Sequence, residues 1–156
     1  MAKTWKSSGG DGAITCTSLA NGSARQGGKV DISALSGLVS MQVRWKPASS
    51  PTANSTIDVY MAFSKSGTAG TDNDGDASGS DAAYPTDGTL ANRLKQLTFV
   101  GSLVLDAVSE SHIQHVGSFA RLADYGMPIL VNNSGVAGSA TATDFEVILE
   151  SVPLPS

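Results

Sequence analysis

Residues 38–46 read LVSMQVRWK, and apolar and polar side chains alternate along the whole stretch. The apolar members occupy every second position: Val39, Met41, Val43 and Trp45. Because successive side chains of a β-strand point to opposite faces, this alternation is typical of a strand with one buried face. We therefore predict a strand here that packs its apolar face against a core.

The same period recurs on both sides of this stretch. TIDVYMAF at 56–63 and TDFEVILE at 143–150 alternate in the same way. In LTFVGSLVL at 97–105, Leu97, Phe99, Leu103 and Leu105 share one face, and valines make the other face apolar too. This pattern predicts a central strand or one covered on both sides, with a bulge or a close backbone approach at Gly101.

Four further segments predict strands with weaker patterns. HIQHVGSF places Ile113 and Phe119 on one face and Val116 on the other. In MPILV, Pro128 cannot donate a ladder hydrogen bond, which predicts a strand start or a sheet edge. The other two are AITCTSL at 13–19 and KVDIS at 29–33, and TLANRLKQL at 89–97 is the one candidate for a helical turn.

About eight short strands with turn-rich connections predict an all-β fold. We expect a single β-sandwich of jelly-roll or Greek-key type, with extended N- and C-terminal arms. The expected division is an N-terminal arm at 1–12, a sandwich at 13–151 with a long Asp/Gly-rich loop at 64–89, and a tail at 152–156.

Composition limits the classes of partner. Only 15% of the 156 residues are charged, and the net charge is −4. Nucleic-acid binding requires a basic surface to neutralise phosphates, so we expect no nucleic-acid partner. We also expect no membrane partner, since no stretch approaches the roughly 18 apolar residues of a membrane span. The single cysteine, Cys16, excludes an intrachain disulfide and suits a small buried apolar side chain.

The Asp/Gly-rich loop suggests three interpretations. Asp72, Asp74 and Asp76 match the first ligands of a calcium loop, but Ala83 stands where the bidentate glutamate belongs, and the register starting at Asp74 ends on Pro85. A different calcium geometry remains an alternative, as does a solvated loop held by turns of its own aspartates. Because long loops are usually functional, we favour partner contact, through Asp72, Asp74, Asp76 and Tyr84, without a metal.

The N-terminus offers a second candidate contact. Trp5 lies between Lys3 and Lys6, ahead of a glycine-rich segment. An aromatic residue on a basic arm suits a pocket on a neighbouring molecule, and packing back on the sandwich is the alternative. His112 and His115 are three apart in a predicted strand, so they point to opposite faces and do not form a metal pair. With no readable catalytic constellation, we expect neither an enzyme nor a cofactor.

Three phrases, SLANGSARQGGKVDIS, PTANSTIDVYMAFSKSGTAGTDNDGDASGSDAAY and LKQLTFVGSLVL, resemble a family of small virion structural proteins of tailed bacteriophages. That family includes head decoration, or cement, proteins. The resemblance extends from about Leu19 to Leu149. It implies a non-enzymatic protein made in the host cytoplasm that assembles on the virion, as a homotrimer bound to the major capsid protein lattice.

A second hypothesis is a carbohydrate-binding sandwich of a phage tail or fibre. Such modules bind sugars through exposed aromatic side chains, sometimes with calcium. The candidates here are Tyr60, Tyr84 and Tyr125, with the three aspartates of the loop near the ion.

Overall fold

The protein is an all-β sandwich in a computed structural model that describes residues 1–153. Within these residues the chain forms eleven strands and one short helix, and the eight strands that pair in the nested order described below are called principal. The principal strands are β1 (Ala2–Lys6), β3 (Ala24–Gln26), β5 (Leu38–Trp45), β6 (Thr56–Ser64), β8 (Thr98–Val104), β9 (His112–Ala120), β10 (Tyr125–Asn133) and β11 (Glu146–Ser151). The others are β2 (Gly12–Ala13), β4 (Val30–Asp31), β7 (Ala82–Tyr84) and helix α1 (Leu90–Leu94); single 3-10 turns span Asp74–Asp76 and Ala142–Asp144.

The strands form two sheets. Sheet A has the order β2-β1-β11-β5-β9, and sheet B has the order β7-β3-β10-β6-β8 with β4 also on β10. The principal strands pair in a nested, antiparallel way: β1 with β11, β3 with β10, β5 with β9 and β6 with β8. Thus the first principal strand pairs with the last, the second with the seventh, and so on to the middle of the chain.

The main core lies between the two sheets. The alternating positions of β5, β6 and β11 supply it as predicted, with Val43, Met41, Trp45, Ile57, Val59, Met61, Val147 and Leu149 all fully buried. Trp45 packs edge-on against Phe145 with ring centroids 4.7 Å apart. Burial of such side chains supplies most of the favourable free energy of folding. None of the helices within residues 1–153 has the length and hydropathy to cross a membrane.

Two bulges change the faces predicted for β8 and β9. The register of β8 on β6 shifts at Val100, and that of β9 on β5 shifts at Val116. Phe99 and Ile113 therefore point outward and are each 55% exposed, whereas Leu103 and Phe119 are buried. The prediction of a central strand or one covered on both sides was wrong, because β8 is the last strand of sheet B and its Phe99 and Val104 are exposed.

The bulges meet where the sheets close on each other. A Cβ on Gly101 would lie 2.0 Å from the Val116 carbonyl oxygen, and one on Gly117 would lie 2.4 Å from the Val100 carbonyl oxygen. No side chain fits at such distances, so both glycines are needed for the close approach of β8 and β9. The close approach predicted at Gly101 is confirmed.

Pro128 lies in the middle of β10, so its predicted place at a strand start or sheet edge was wrong. Its carbonyl accepts a hydrogen bond of 2.8 Å from Gly27, in the gap between β3 and β4. A strand residue directs its N–H and C=O to the same side, so the missing N–H faces this gap, where the ladder is already interrupted. The proline therefore leaves no acceptor on β6 unpaired.

The chain ends differ from the predicted arms. Residues 2–6 form β1, which pairs along its whole length with β11, so residues 1–12 are not a free arm. The helical turn predicted at 89–97 is present as α1. At the other end, Val152 still donates a hydrogen bond to the Leu38 carbonyl. The remainder of the predicted tail, 154–156, lies outside the described residues.

Candidate functional site

The Asp/Gly-rich segment 64–89, which we call the covering segment or the cover, packs on the outer face of sheet B. Ala77 and Tyr84 from this segment are buried with Met127, Ile129 and Val131 of β10 in a second core. Leu90, Leu94 and Leu97 in and after α1 pack on the edge of the same cluster. Ala77 and Tyr84 therefore tie the segment to the folded body, whereas residues 67–72 are exposed, so the interpretation as a solvated loop describes only part of it.

The three aspartates of the failed calcium motif have separate environments. Asp74 accepts a hydrogen bond of 3.1 Å from the Phe63 amide, which joins the segment to the end of β6. Asp76 forms an ion pair with Arg93, and Asp72 is exposed. Within residues 1–153, no three His, Cys, Asp or Glu side chains are placed to hold a metal ion.

Asp81 makes the strongest polar anchor of the segment. Its carboxylate accepts hydrogen bonds from the Arg25 Nε at 2.6 Å and from the Thr15 amide at 3.0 Å. Burial alone would raise the pKa of Asp81, but the bonds from Arg25 and Thr15 outweigh burial and lower it. Asp81 could not be selected among its neighbours from the sequence, because both of its partners are more than 50 residues away along the chain.

Tyr84, predicted to contact a partner, is buried in the second core. Its hydroxyl donates to the Gly75 carbonyl at 2.8 Å. Burial raises the pKa of Tyr84 to about 12. In this conformation, the side chain holds the covering segment in place and is not accessible to another molecule.

The N-terminal candidates divide between core and surface. Trp5 is fully buried, and its Nε1 donates to the Gly28 carbonyl at 2.7 Å, so the alternative of packing on the sandwich describes its position. Lys3 lies 3.5 Å from Asp11. Lys6 lines a shallow cleft of about 210 Å³ on sheet A, together with Arg44 and Glu146. Partner contact by Lys3 and Lys6 stays a prediction.

The two histidines point to opposite faces, as predicted. His112 lies opposite Trp45, and its Nε2 is 3.0 Å from an oxygen of Asp106. His115 lies opposite Gln42 on the outer face of sheet A. It lines a cleft of about 190 Å³ with polar neighbours on β5 and β11: Ser40, Gln42 and Glu150.

Cys16 is fully buried in the main core. Burial raises the pKa of its thiol, which keeps the sulfur protonated and unreactive near neutral pH. The position agrees with the predicted small buried side chain.

Four exposed apolar side chains, which we call the apolar strip, lie on β8, on β9 and in the connection between them, and the sequence pattern did not reveal them. They are Phe99, Val104, Val108 and Ile113. The Val104 amide donates to the Gln114 side chain at 2.9 Å, which places the end of β8 beside the start of β9. Phe99 packs edge-on against Tyr60, with centroids 5.2 Å apart. The bulges turn Phe99 and Ile113 outward, and a bulge cannot be read from period-two alternation alone.

Comparisons with known proteins give no functional assignment: no model of a protein family matches the chain, and no curated protein matches it significantly. The fold and the contacts described above therefore carry the proposal of a function.

Proposed function

We propose that this protein is a non-enzymatic virion structural protein, a decoration protein that binds the assembled head of a tailed phage and stabilises it. The observation that carries the proposal is the apolar strip, in which Phe99 and Ile113 each leave 55% of their surface exposed. Several large apolar side chains exposed in one part of a surface can supply the apolar centre of a protein–protein contact.

The strip has the composition of a contact surface. Phe99 is an aromatic residue already held in place by Tyr60, so little conformational entropy is lost when a partner covers it. Aromatic side chains of this type dominate the binding energy of many interfaces. The low charged fraction of the chain, 15%, also limits the cost of desolvating its surface.

The strip is small for a stable pairwise complex, because standard interfaces bury about 800 Å² on each partner. Binding to a capsid lattice can compensate for this small contact area. Many copies bind the same shell, and a trimer presents several strips at once, so modest contacts add through avidity. A protein that binds the assembled shell better than its free subunits stabilises the shell by mass action.

We also assign the sandwich to the jelly-roll type. The nested antiparallel pairing of eight principal strands supports this assignment. Jelly rolls occur in viral capsid proteins and in lectins. Because one fold serves many functions, this assignment fits the proposal without carrying it.

Head binding tests the proposal. Wild-type protein and the double variant Phe99→Ser/Ile113→Ser are mixed with phage heads that lack the protein, and occupancy is measured after sedimentation. We expect wild-type protein to bind and the double variant to lose at least about ten-fold in affinity, since each buried large apolar side chain contributes roughly 1.5–3 kcal/mol.

The matched control is Leu122→Ser, which removes an exposed apolar side chain from the turn between β9 and β10. This variant should bind like wild type. No binding of wild-type protein to heads would contradict the decoration role. Equal binding of wild type and the double variant would exclude the strip as the contact.

Carbohydrate binding in a tail or fibre is the second candidate, and the polar cleft around His115 and Glu150 favours it. Imidazole, carboxylate and amide groups suit hydrogen bonding to sugar hydroxyls. Two of the three tyrosines expected for this role are less suitable, because Tyr84 is buried and Tyr60 packs on Phe99, whereas Tyr125 is half-buried. Binding on a glycan array that His115→Ala abolishes would support this candidate, and no binding by wild-type protein would exclude it.

A further inference from the structure

The covering segment begins with a ring of oxygen atoms around the side chain of Lys29. The Lys29 Nζ lies 3.0 Å from the Ser64 Oγ, 2.8 Å from the Ser66 carbonyl, 2.6 Å from the Thr68 carbonyl and 3.1 Å from the Thr71 carbonyl. These four oxygens all belong to one short segment, residues 64–71. We call them the oxygen ring.

The oxygen ring matches a cation and not a neutral donor. An ammonium has three N–H donors and no acceptor, so it can engage acceptors on every side. A neutral amine has two donors and a lone pair that would face a carbonyl oxygen. Burial lowers the pKa of Lys29, and the neighbouring Asp72 opposes this effect.

The geometry resembles the way proteins hold alkali-metal ions. Rings of backbone carbonyl oxygens replace the water shell of such an ion. Here the cation is a side chain of the same protein. The backbone of Lys29 makes a second contact with the covering segment, since its amide donates to the Gly79 carbonyl at 2.9 Å. Lys29 thus fastens both the beginning and the later part of the covering segment.

We propose that residues 64–71 form a binding site for a monovalent cation whose resident occupant is the Lys29 ammonium. The tethered cation closes the covering segment over sheet B and makes this closure independent of calcium. When the ammonium is removed, the vacated ring accepts ammonium or potassium from solution.

Chemical rescue of Lys29→Met tests the proposal. Methionine retains most of the apolar stem but lacks the charge. In tetramethylammonium chloride, whose cation is too large for the ring, the Tm of this variant should fall by at least about 5 °C, in line with the 2–4 °C expected per kcal/mol for a chain of this size. Replacing that salt by about 0.2 M ammonium or potassium chloride should restore half or more of the loss, because a ligand bound only to the native state stabilises it.

The matched control is Lys65→Met, which removes the same charge from an exposed position beside the ring. Its Tm and that of wild type should be the same in all three salts. An equal Tm for Lys29→Met and Lys65→Met would overturn the proposal, as would a Tm loss at Lys29→Met that is identical in all three salts.

A measurement on the unaltered protein covers the case in which Lys29→Met does not fold. The four oxygen contacts of the Lys29 ammonium should slow the exchange of its protons with water, so an NMR spectrum selective for lysine NH₃⁺ groups should give a signal for Lys29 at neutral pH. Lys65 should give none. Exchange of the Lys29 ammonium as fast as that of Lys65 would overturn the proposal.

Discussion

The outer faces of the two sheets differ, although both belong to the same sandwich. On sheet B, the outward side chains of β10 are Met127, Ile129 and Val131, and all are buried under segment 64–89. On sheet A, the outward side chains of β11 are Glu146, Ile148 and Glu150, and this face is open. An apolar second face therefore requires a cover, which this chain takes from its own Asp/Gly-rich segment.

The composition of the cover follows from that role. A chain that crosses an apolar sheet must satisfy its own backbone groups without a regular ladder. Asn73 does this by donating to the Ala77 carbonyl, whereas Asp74 and Asp81 tie the segment to the Phe63 and Thr15 amides outside it. Structural contacts therefore account for these two aspartates of the segment on sheet B, whereas the charged residues on the outer face of sheet A face solvent.

The comparison is tested most strongly by two matched isoleucines. Ile129 on β10 and Ile148 on β11 both point outward from central strands, one covered and one open. We expect Ile129→Ala to lower the free energy of unfolding by about 2–5 kcal/mol, because it leaves a cavity in the second core. Ile148→Ala should cost less than about 1 kcal/mol. Urea unfolding measures both, and equal costs would contradict the difference between the faces.

Acid stability tests the polar anchor of the cover. Because the folded-state pKa of Asp81 is lowered, its contribution is present above the ordinary aspartate pKa and is lost as the pH falls below it. Asp81→Asn should cost roughly 1.5–3 kcal/mol at pH 7 and should flatten the loss of stability between about pH 5 and 2.

The control for this experiment is Asp124→Asn, which alters an exposed pair with Arg121. Its unfolding free energy should stay within about 1 kcal/mol of wild type. If the free energy of unfolding depends on pH in the same way in both variants, Asp81 does not anchor the covering segment.

Tyr84→Phe is expected to have an intermediate effect. It removes the hydroxyl that donates to the buried Gly75 but keeps the ring in the second core. The loss should be about 0.5–1.5 kcal/mol by urea unfolding, with faster amide exchange confined to the covering segment. Faster exchange spread evenly over both sheets would argue against a local role.

The smallest effect is expected on the open face. Arg44 lies 3.7 Å from Glu146, and its side chain is 41% exposed. Arg44→Ala should change the free energy of unfolding by less than about 1 kcal/mol, and the difference should shrink further in high salt. A larger, salt-independent loss would show that the face of sheet A is also structurally essential.

The sequence predicted the buried positions of strands with regular alternation. It did not predict them in strands interrupted by a bulge or in very short strands. β5, β6 and β11 keep strict alternation, so their core positions were correct. One extra residue at each bulge reversed the faces of β8 and β9. β7 spans only three residues, too few for any periodic signal.

The need for a cover on sheet B can be read from the sequence of β10. MPILV is apolar at every position, which indicates a strand buried on both faces. Some other segment must then lie on its outer face, and 64–89 is the longest connection available. The contacts of Asp81 and Lys29 could not have been found in this way, since they join positions far apart in the chain.

Amide hydrogen exchange of the wild-type protein tests the central claim most directly, namely that segment 64–89 is held in a fixed position on sheet B. The amides of Gly70 and Ser78 donate to the Ser78 carbonyl and the Gln26 side chain. We predict that both amides exchange orders of magnitude more slowly than an unstructured peptide, with or without a calcium chelator. Exchange at the rate of an unstructured peptide, while β10 and β11 stay protected, would contradict the account.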